Sequence, residues 1–192
     1  LCKLIDKYHK DGSVLIFAQT TTYVDALYNI LGEIYSGDVT RYHSRIKPER
    51  RKKELLFDFL QGKRKIMIST SAFSMGIDVS DIELVVHFNA PISMMDYIQQ
   101  IGRAGRDGRK AHCVLFYDQN GDDDAISASF IKKSKKQSAK AAKTIKSNLN
   151  QVHNFIHNDN CMVCDILEYQ GQHETKTCKR CTVCAQKRRN SK

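Results

Sequence analysis

The sequence predicts an α/β fold for residues 1 to about 120, a mostly parallel sheet covered by helices, followed by a small helical unit with a metal-binding loop. Three observations predict it. Short apolar runs rich in β-branched residues alternate with helix-period stretches, the character of the chain changes after Gly121, and five of the seven cysteines gather within 24 residues near the end. Repeated strand, helix, strand units bury the sheet on both faces, and such strands read as continuous apolar runs.

Along the chain, Val14 to Gln19 (VLIFAQ), Val39 to His43, Lys65 to Thr70, Ile82 to Phe88 and Cys113 to Tyr117 read as buried strands. Thr21 to Ile34, Pro48 to Gln61 and Ser93 to Ile101 read as helices, with Pro48 at a helix start. Ligands in such folds sit at the carboxyl ends of strands, so the loop after KIMIST and the loop after the Ser93 helix are where chemistry is expected. Beyond the acidic triplet Asp122 to Asp124, residues 125 to 158 are nearly continuous helix-former sequence, read as a helical pair or a bent helix. A short helix from Cys161 to Tyr169 and a cysteine-rich loop follow. The tail AQKRRNSK has no packing pattern and is expected to be disordered. Domain limits are set at 1–122, 123–185 and 186–192.

The net charge of +10 is unevenly placed. Residues 1–124 carry 17 basic and 17 acidic side chains, residues 125–192 carry 14 and 4, so the whole excess lies in the last 68 residues. A basic end of this density suits a phosphate-bearing partner such as nucleic acid. No apolar run approaches a membrane span, and LCKLIDKYHKDG has neither the apolar core nor the cleavage site of a secretory signal. That reads as an intracellular protein, nuclear in a eukaryote, in the cytoplasm or nucleoid of a bacterium. The chain begins without methionine and directly in a helix-like pattern, which reads as a piece of a longer polypeptide.

Cys161, Cys164, Cys178, Cys181 and Cys184 argue for metal, not disulfides, in a chain without a secretion signal. A structural zinc site closes at four ligands, and two sets are open: Cys161 and Cys164 with two of the later three, or Cys161 with Cys178, Cys181 and Cys184. His157 and His173 are possible stand-ins. Cys113, within the apolar run HCVLFY, is expected as a buried thiol.

The stretch YIQQIGRAGRDGR places Arg103, Arg106 and Arg109 among Gly102, Gly105 and Gly108 within eight residues. The glycines free the backbone for positive φ or close approach to a ligand, and the guanidinium forks beside them suit a polyanion.

Four segments in order, VLIFAQTTTYVDAL, VTRYHSRIKPERRKKELLFDFLQGK, ISTSAFSMGIDVSDIELVVHFNAP and YIQQIGRAGRDG, resemble the second RecA-like domain of the RecQ-family DNA helicases. The zinc-binding subdomain of that family completes the resemblance, since Cys161, sixteen intervening residues, then Cys178, Cys181 and Cys184 have its spacing, with Tyr169 and Gly171 also in place. The resemblance implies a RecA-like parallel sheet flanked by helices, then a small helical zinc-binding subdomain holding structural Zn²⁺ on Cys161, Cys178, Cys181 and Cys184. It implies a 3′ to 5′ DNA helicase motor that contacts single-stranded DNA and duplex junctions, with ATP and Mg²⁺ shared with a first RecA-like domain. Arg103 and Arg106 are then expected at the γ-phosphate, Arg106 as arginine finger, with Gln99 coupling nucleotide to neighbouring motifs. Asp78 is expected to accept from the ribose hydroxyls of ATP, with Gly76 keeping that approach open. Thr70, aided by Ser69 or Ser71, is expected to donate to a DNA phosphate, and Lys132 and Lys136 to contact the duplex backbone. Arg109 has no role by the resemblance. Near Tyr42 and His43 the family pattern is kept.

The chain departs from that pattern at Ser74, where family members usually have glycine, and Cys164 falls at a non-ligand position. No GxxxxGK[ST] phosphate loop and no DE-x-H or DE-x-D magnesium motif is present, so this segment alone is expected to be inactive as an ATPase. A rival reading is a non-catalytic nucleic-acid-binding protein derived from a decayed helicase copy. An intact phosphate loop upstream would discriminate the two.

Overall fold

The structure is a computed structural model and describes residues 1–9, 12–74, 82–118 and 121–191. The first unit runs α1 (Cys2–Tyr8), β1 (Ser13–Phe17), α2 (Thr21–Ile34), β2 (Val39–Tyr42), α3 (Glu49–Leu60), β3 (Ile66–Ser69), a 3₁₀ turn (Ser71–Ser74), β4 (Ile82–His87), α4 (Met94–Ile101) and β5 (His112–Leu115). Every strand pair is parallel, and the order is β2-β3-β1-β4-β5. The strand and helix expectations hold to within a few residues at each end.

Alternation along the strands divides the core in two. Val14 and Ile16 of β1, Ile66 and Ile68 of β3, and Leu84 and Val86 of β4 face one side, where α1 and α2 supply Ile5, Tyr8, Val24, Leu27 and Leu31. Leu15, Phe17, Met67 and Val85 face the other, under Phe59 of α3 and Phe73 of the 3₁₀ turn. All five residues of β1 are buried, as its central place requires. Cap residues fix where helices begin: the Thr20 hydroxyl accepts from the Tyr23 amide at the start of α2, and Ser93 accepts from Asp96 at the start of α4.

The second unit is α5 (Asp122–Lys135), α6 (Ala139–His157), α7 (Met162–Tyr169) and α8 (Thr182–Asn190). The acidic triplet opens α5, and its last turn holds Lys132, Lys133 and Lys135, so charge at both ends complements the helix dipole. Val152 and Phe155 of α6 bury Met94 and Tyr97 of α4, with Met162 and Ile166 of α7 alongside. Asp123 is 4% exposed and accepts from the Ala90 and Asp118 amides at 2.8 Å each.

One expectation is corrected. Residues 186–190 are not a disordered tail but the end of α8, which Cys181 caps by accepting from the Cys184 amide and which Lys187, Arg188 and Arg189 close with favourable charge. Cys113 lies on the edge strand β5 as an exposed residue, yet its thiol donates to the Ile101 carbonyl at 3.9 Å and burial pushes its pKa up to about 11. No described helix is long and apolar enough to cross a membrane.

Candidate functional site

The arginine loop is held by backbone geometry. Gly105 adopts φ +64, and a Cβ there would come within 2.7 Å of the Arg109 carbonyl oxygen, so the turn excludes any side chain. Its amide donates to the Ile82 carbonyl at 3.0 Å, and the Gly108 amide closes back onto the Gly105 carbonyl at 3.0 Å. Ile82 opens β4. The loop therefore lies at the amino edge of the sheet, because α4 carries the chain back from the carboxyl edge before β5 begins. The expectation that this loop sits at a carboxyl end is corrected.

The arginines take different positions. Arg103 turns inward, 5% exposed, with its guanidinium 5.6 Å from the centre of the Phe73 ring. Arg106 stays exposed, its Nε donating to the Gly102 carbonyl at 3.2 Å. Arg109 is exposed, and its amide at 3.0 Å and then its Nε at 2.6 Å donate to Asp107 and hold that carboxyl below its usual range.

Gln99 is exposed on α4, while its neighbour Gln100 is buried and accepts from His87 Nε2 at 2.7 Å. His87 lies between the rings of Phe17 and Tyr97, at 5.4 and 5.0 Å, and burial pulls its pKa down to about 4. Sequence reasoning missed this pair. Its signals were a lone polar residue ending the run IELVVH and a glutamine three residues after Tyr97 on the buried stripe of α4.

At the carboxyl edge, Thr70 follows β3, and its amide extends the ladder to the Tyr42 carbonyl at 3.3 Å. Its hydroxyl accepts from the Ala72 amide at 3.4 Å and is only partly buried. Ser69 is fully buried and its hydroxyl donates to the Tyr42 and Thr70 carbonyls, so it presents nothing to a ligand, and the expectation of a phosphate contact there is corrected. Ser71 is exposed. His43 is buried, with Nε2 at 3.0 Å from Asp25 and Nδ1 accepting from the Arg45 amide, while Arg41 pairs with the same Asp25 oxygen. Gly76 and Asp78 lie outside the described residues. Phe73 meets Tyr42 and Phe59 edge-on and underlies Arg103.

In the second unit the sulfurs of Cys161, Cys178, Cys181 and Cys184 all lie within 4.8 Å of one another. Tetrahedral zinc with Zn–S near 2.3 Å needs sulfurs about 3.8 Å apart, and Cys178 and Cys184 stand at 4.0 Å. The set fits. Amides of Cys178, Cys181 and Cys184 point at the sulfurs of Cys161, Cys178 and Cys181, at 3.2–3.5 Å. Burial raises the Cys161 thiol, but amides of Cys178 and Cys164 outweigh it and bring the pKa down to about 6, favouring the thiolate a metal requires. Cys164 lies outside this group, its thiol donating to the Lys176 carbonyl at 3.5 Å. His173 is exposed, and exposed His157 donates from Nδ1 to its own helix; neither joins the sulfurs. Lys132 and Lys136 are exposed.

With this geometry in place, residues 1–108 match the family described as helicase conserved C-terminal domain, and residues 122–185 match RecQ zinc-binding. The chain belongs to the RecQ-family helicases. It is 32% identical over 97% of its length to the ATP-dependent DNA helicase RecQ of Bacillus subtilis, of which it covers 31%. It is 29% identical over 97% of its length to the ATP-dependent DNA helicase hus2/rqh1 of Schizosaccharomyces pombe, of which it covers 14%. The chain thus spans a third or less of these RecQ-family relatives. Among solved structures, Saccharomyces cerevisiae Dbp5 bound to RNA and ADP BeF3 superposes with a TM-score of 0.53 at 27% identity, over 67% of this chain and 34% of that one. This RecQ-family chain is a helicase C-terminal domain, a parallel sheet flanked by helices, followed by a zinc-binding region.

Proposed function

We propose that this chain is the second motor domain and zinc module of an ATP-dependent 3′ to 5′ DNA helicase, acting with a first RecA-like domain upstream in the same polypeptide. ATP with Mg²⁺ would occupy the cleft between the two domains and supply the γ-phosphoryl group for transfer to water. The chain lacks a phosphate loop, so turnover needs that upstream domain. Arg106 is the arginine finger: exposed at the amino edge, it is placed to meet charge spreading over phosphoryl oxygens. Arg103, 5% exposed and packed on Phe73, is assigned to the same phosphate. Gln99 faces outward beside it, and Asp78 and Gly76 are assigned the ribose. Thr70 donates to a DNA phosphate at the opposite edge, and Lys132 and Lys136 add sequence-independent contacts to the duplex backbone. Cys161, Cys178, Cys181 and Cys184 hold one structural zinc ion.

The observation that carries this reading is the Phe73 side chain. Its ring stands 6.1 Å from that of Tyr42, at the end of β2 beside Thr70, and 5.6 Å from the guanidinium that Arg103 extends from the arginine loop. DNA contact at one edge and phosphoryl chemistry at the other therefore share one packed element. In the intact polypeptide, Arg106→Ala should bind nucleotide nearly as the parent does while DNA-stimulated turnover falls about a thousandfold. Nucleotide affinity and turnover are measured separately, and turnover within about threefold of the parent would remove the finger assignment.

A further inference from the structure

The tip of the α5–α6 pair carries a feature that neither zinc nor DNA contact uses. A cavity of about 550 Å³ opens there, floored by Phe130, Ala141 and Ile145 and rimmed by Lys133, Ser138 and Lys140. Phe130, Ala141 and Ile145 are each only partly buried, so one more apolar side chain could complete their packing.

The rim is electropositive from three sources. Lys133 and Lys140 stand on opposite helices, and α6 begins at this point, its first turn without an acidic residue and its Ser138 cap already accepting from the Ala141 amide. A 19-residue helix presents a partial positive charge at such an end. Lys132 and Lys136 do not line the cavity, so the lysines of this hairpin divide into two sets.

We infer that this notch docks an acidic protein segment carrying one aromatic or leucine anchor, the anchor seated on Phe130 and Ile145 and flanking carboxylates meeting Lys133, Lys140 and the α6 amino end. A DNA backbone matches the charge but has no use for an apolar floor, since phosphates and sugars bind through polar contacts. Exposed lysine–carboxylate pairs add little affinity in water, so the anchor supplies most of the binding and the rim supplies steering and selection.

The test uses fluorescence anisotropy with a labelled synthetic peptide of about fifteen residues, glutamate and aspartate on both sides of a Phe-x-x-Leu pair. Saturable binding to the chain is expected, weakened at least about tenfold when serine replaces Phe and Leu in the peptide. Ala141→Phe, which fills the notch without changing charge, and Lys133→Glu with Lys140→Glu, both on the surface, should each weaken it about tenfold or more. Lys132→Glu with Lys136→Glu should change it less than about threefold. Far-UV circular dichroism and thermal melts establish that each variant is folded, and the lysine pair decides the matter should Ala141→Phe not fold. Absence of saturable binding, or parent-like binding by the folded notch variants, overturns the proposal. So does a fall in duplex DNA binding by Ala141→Phe to the same degree as in peptide binding, which would make the notch a nucleic-acid site.

Discussion

Gly105 and Gly108 both hold positive φ, +64 and +81, yet their surroundings differ. An added Cβ at Gly105 strikes the Arg109 carbonyl oxygen at 2.7 Å, whereas at Gly108 it meets open space. Gly108→Ala should therefore cost only the left-handed penalty, about 1–2 kcal/mol. Gly105→Ala must also displace the backbone of the loop and should cost more, which urea unfolding of the two variants compares directly. Equal destabilisation would mean the loop yields without strain. His87 carries a second residue-scale prediction. Its folded pKa of about 4 lies below the ordinary 6.5, because burial disfavours the imidazolium. Between those values the unfolded state binds the proton and the folded state does not. Stability attributable to His87 is thus complete above about pH 6.5 and declines as the pH falls toward 4, by up to about 3 kcal/mol. In His87→Gln the stability-against-pH slope over this window should flatten relative to the parent, measured by denaturant midpoints at successive pH values. An unchanged slope would show that the imidazole is reached by solvent or charged in the fold.

At the scale of elements, the zinc loop gives the sharpest expectation. Cys164→Ala should keep about one zinc per chain, while Cys161→Ala or Cys181→Ala should lose it and loosen residues 150–185, because metal affinity here is folding energy. Metal analysis with hydrogen exchange reads both effects, and zinc absent from Cys164→Ala but kept in Cys161→Ala would reverse the ligand set. Much of this architecture was legible in the sequence. Continuous apolar runs mark strands buried on both faces, and α2 was legible to the residue because Thr20 and the apolar stripe Val24, Leu27 and Leu31 are local signals. Cysteine spacing alone left two sulfur sets open, and the family resemblance singled out Cys161, Cys178, Cys181 and Cys184. What escaped depends on neighbours distant in sequence. Arg103 is buried by Phe73, thirty residues earlier, and Ser69 spends its hydroxyl on Tyr42, so neither environment has a signal in its own segment. The tail after Cys184 lacks an apolar stripe, and α8 owes its start to a cysteine cap that composition does not reveal. The edge on which the arginine loop lies follows from chain direction through α4, not from residue type.

For the whole molecule, the charge excess on residues 125–192 sets an ionic-strength expectation. Removing those residues would uncover Met94 and Tyr97, which Val152 and Phe155 bury, so charge reversal is the cleaner experiment. Lys132→Glu with Lys136→Glu should weaken duplex binding irrespective of sequence and make log K against log salt shallower by up to about two units, roughly 0.9 for each phosphate no longer neutralised. An unchanged slope would place the DNA-backbone interactions on other surfaces. The Asp123 carboxylate, which clasps amides from the β4–α4 connection and from the segment after β5, has a mechanical meaning at this scale. A swivel between the sheet and α5 would have to break two charge-assisted bonds at a site nearly closed to water. The 14 residues of α5 extend about 21 Å from that clasp. A rotation of the sheet would therefore carry the hairpin with it, α5 acting as the arm that widens the sweep at the lysine-bearing tip.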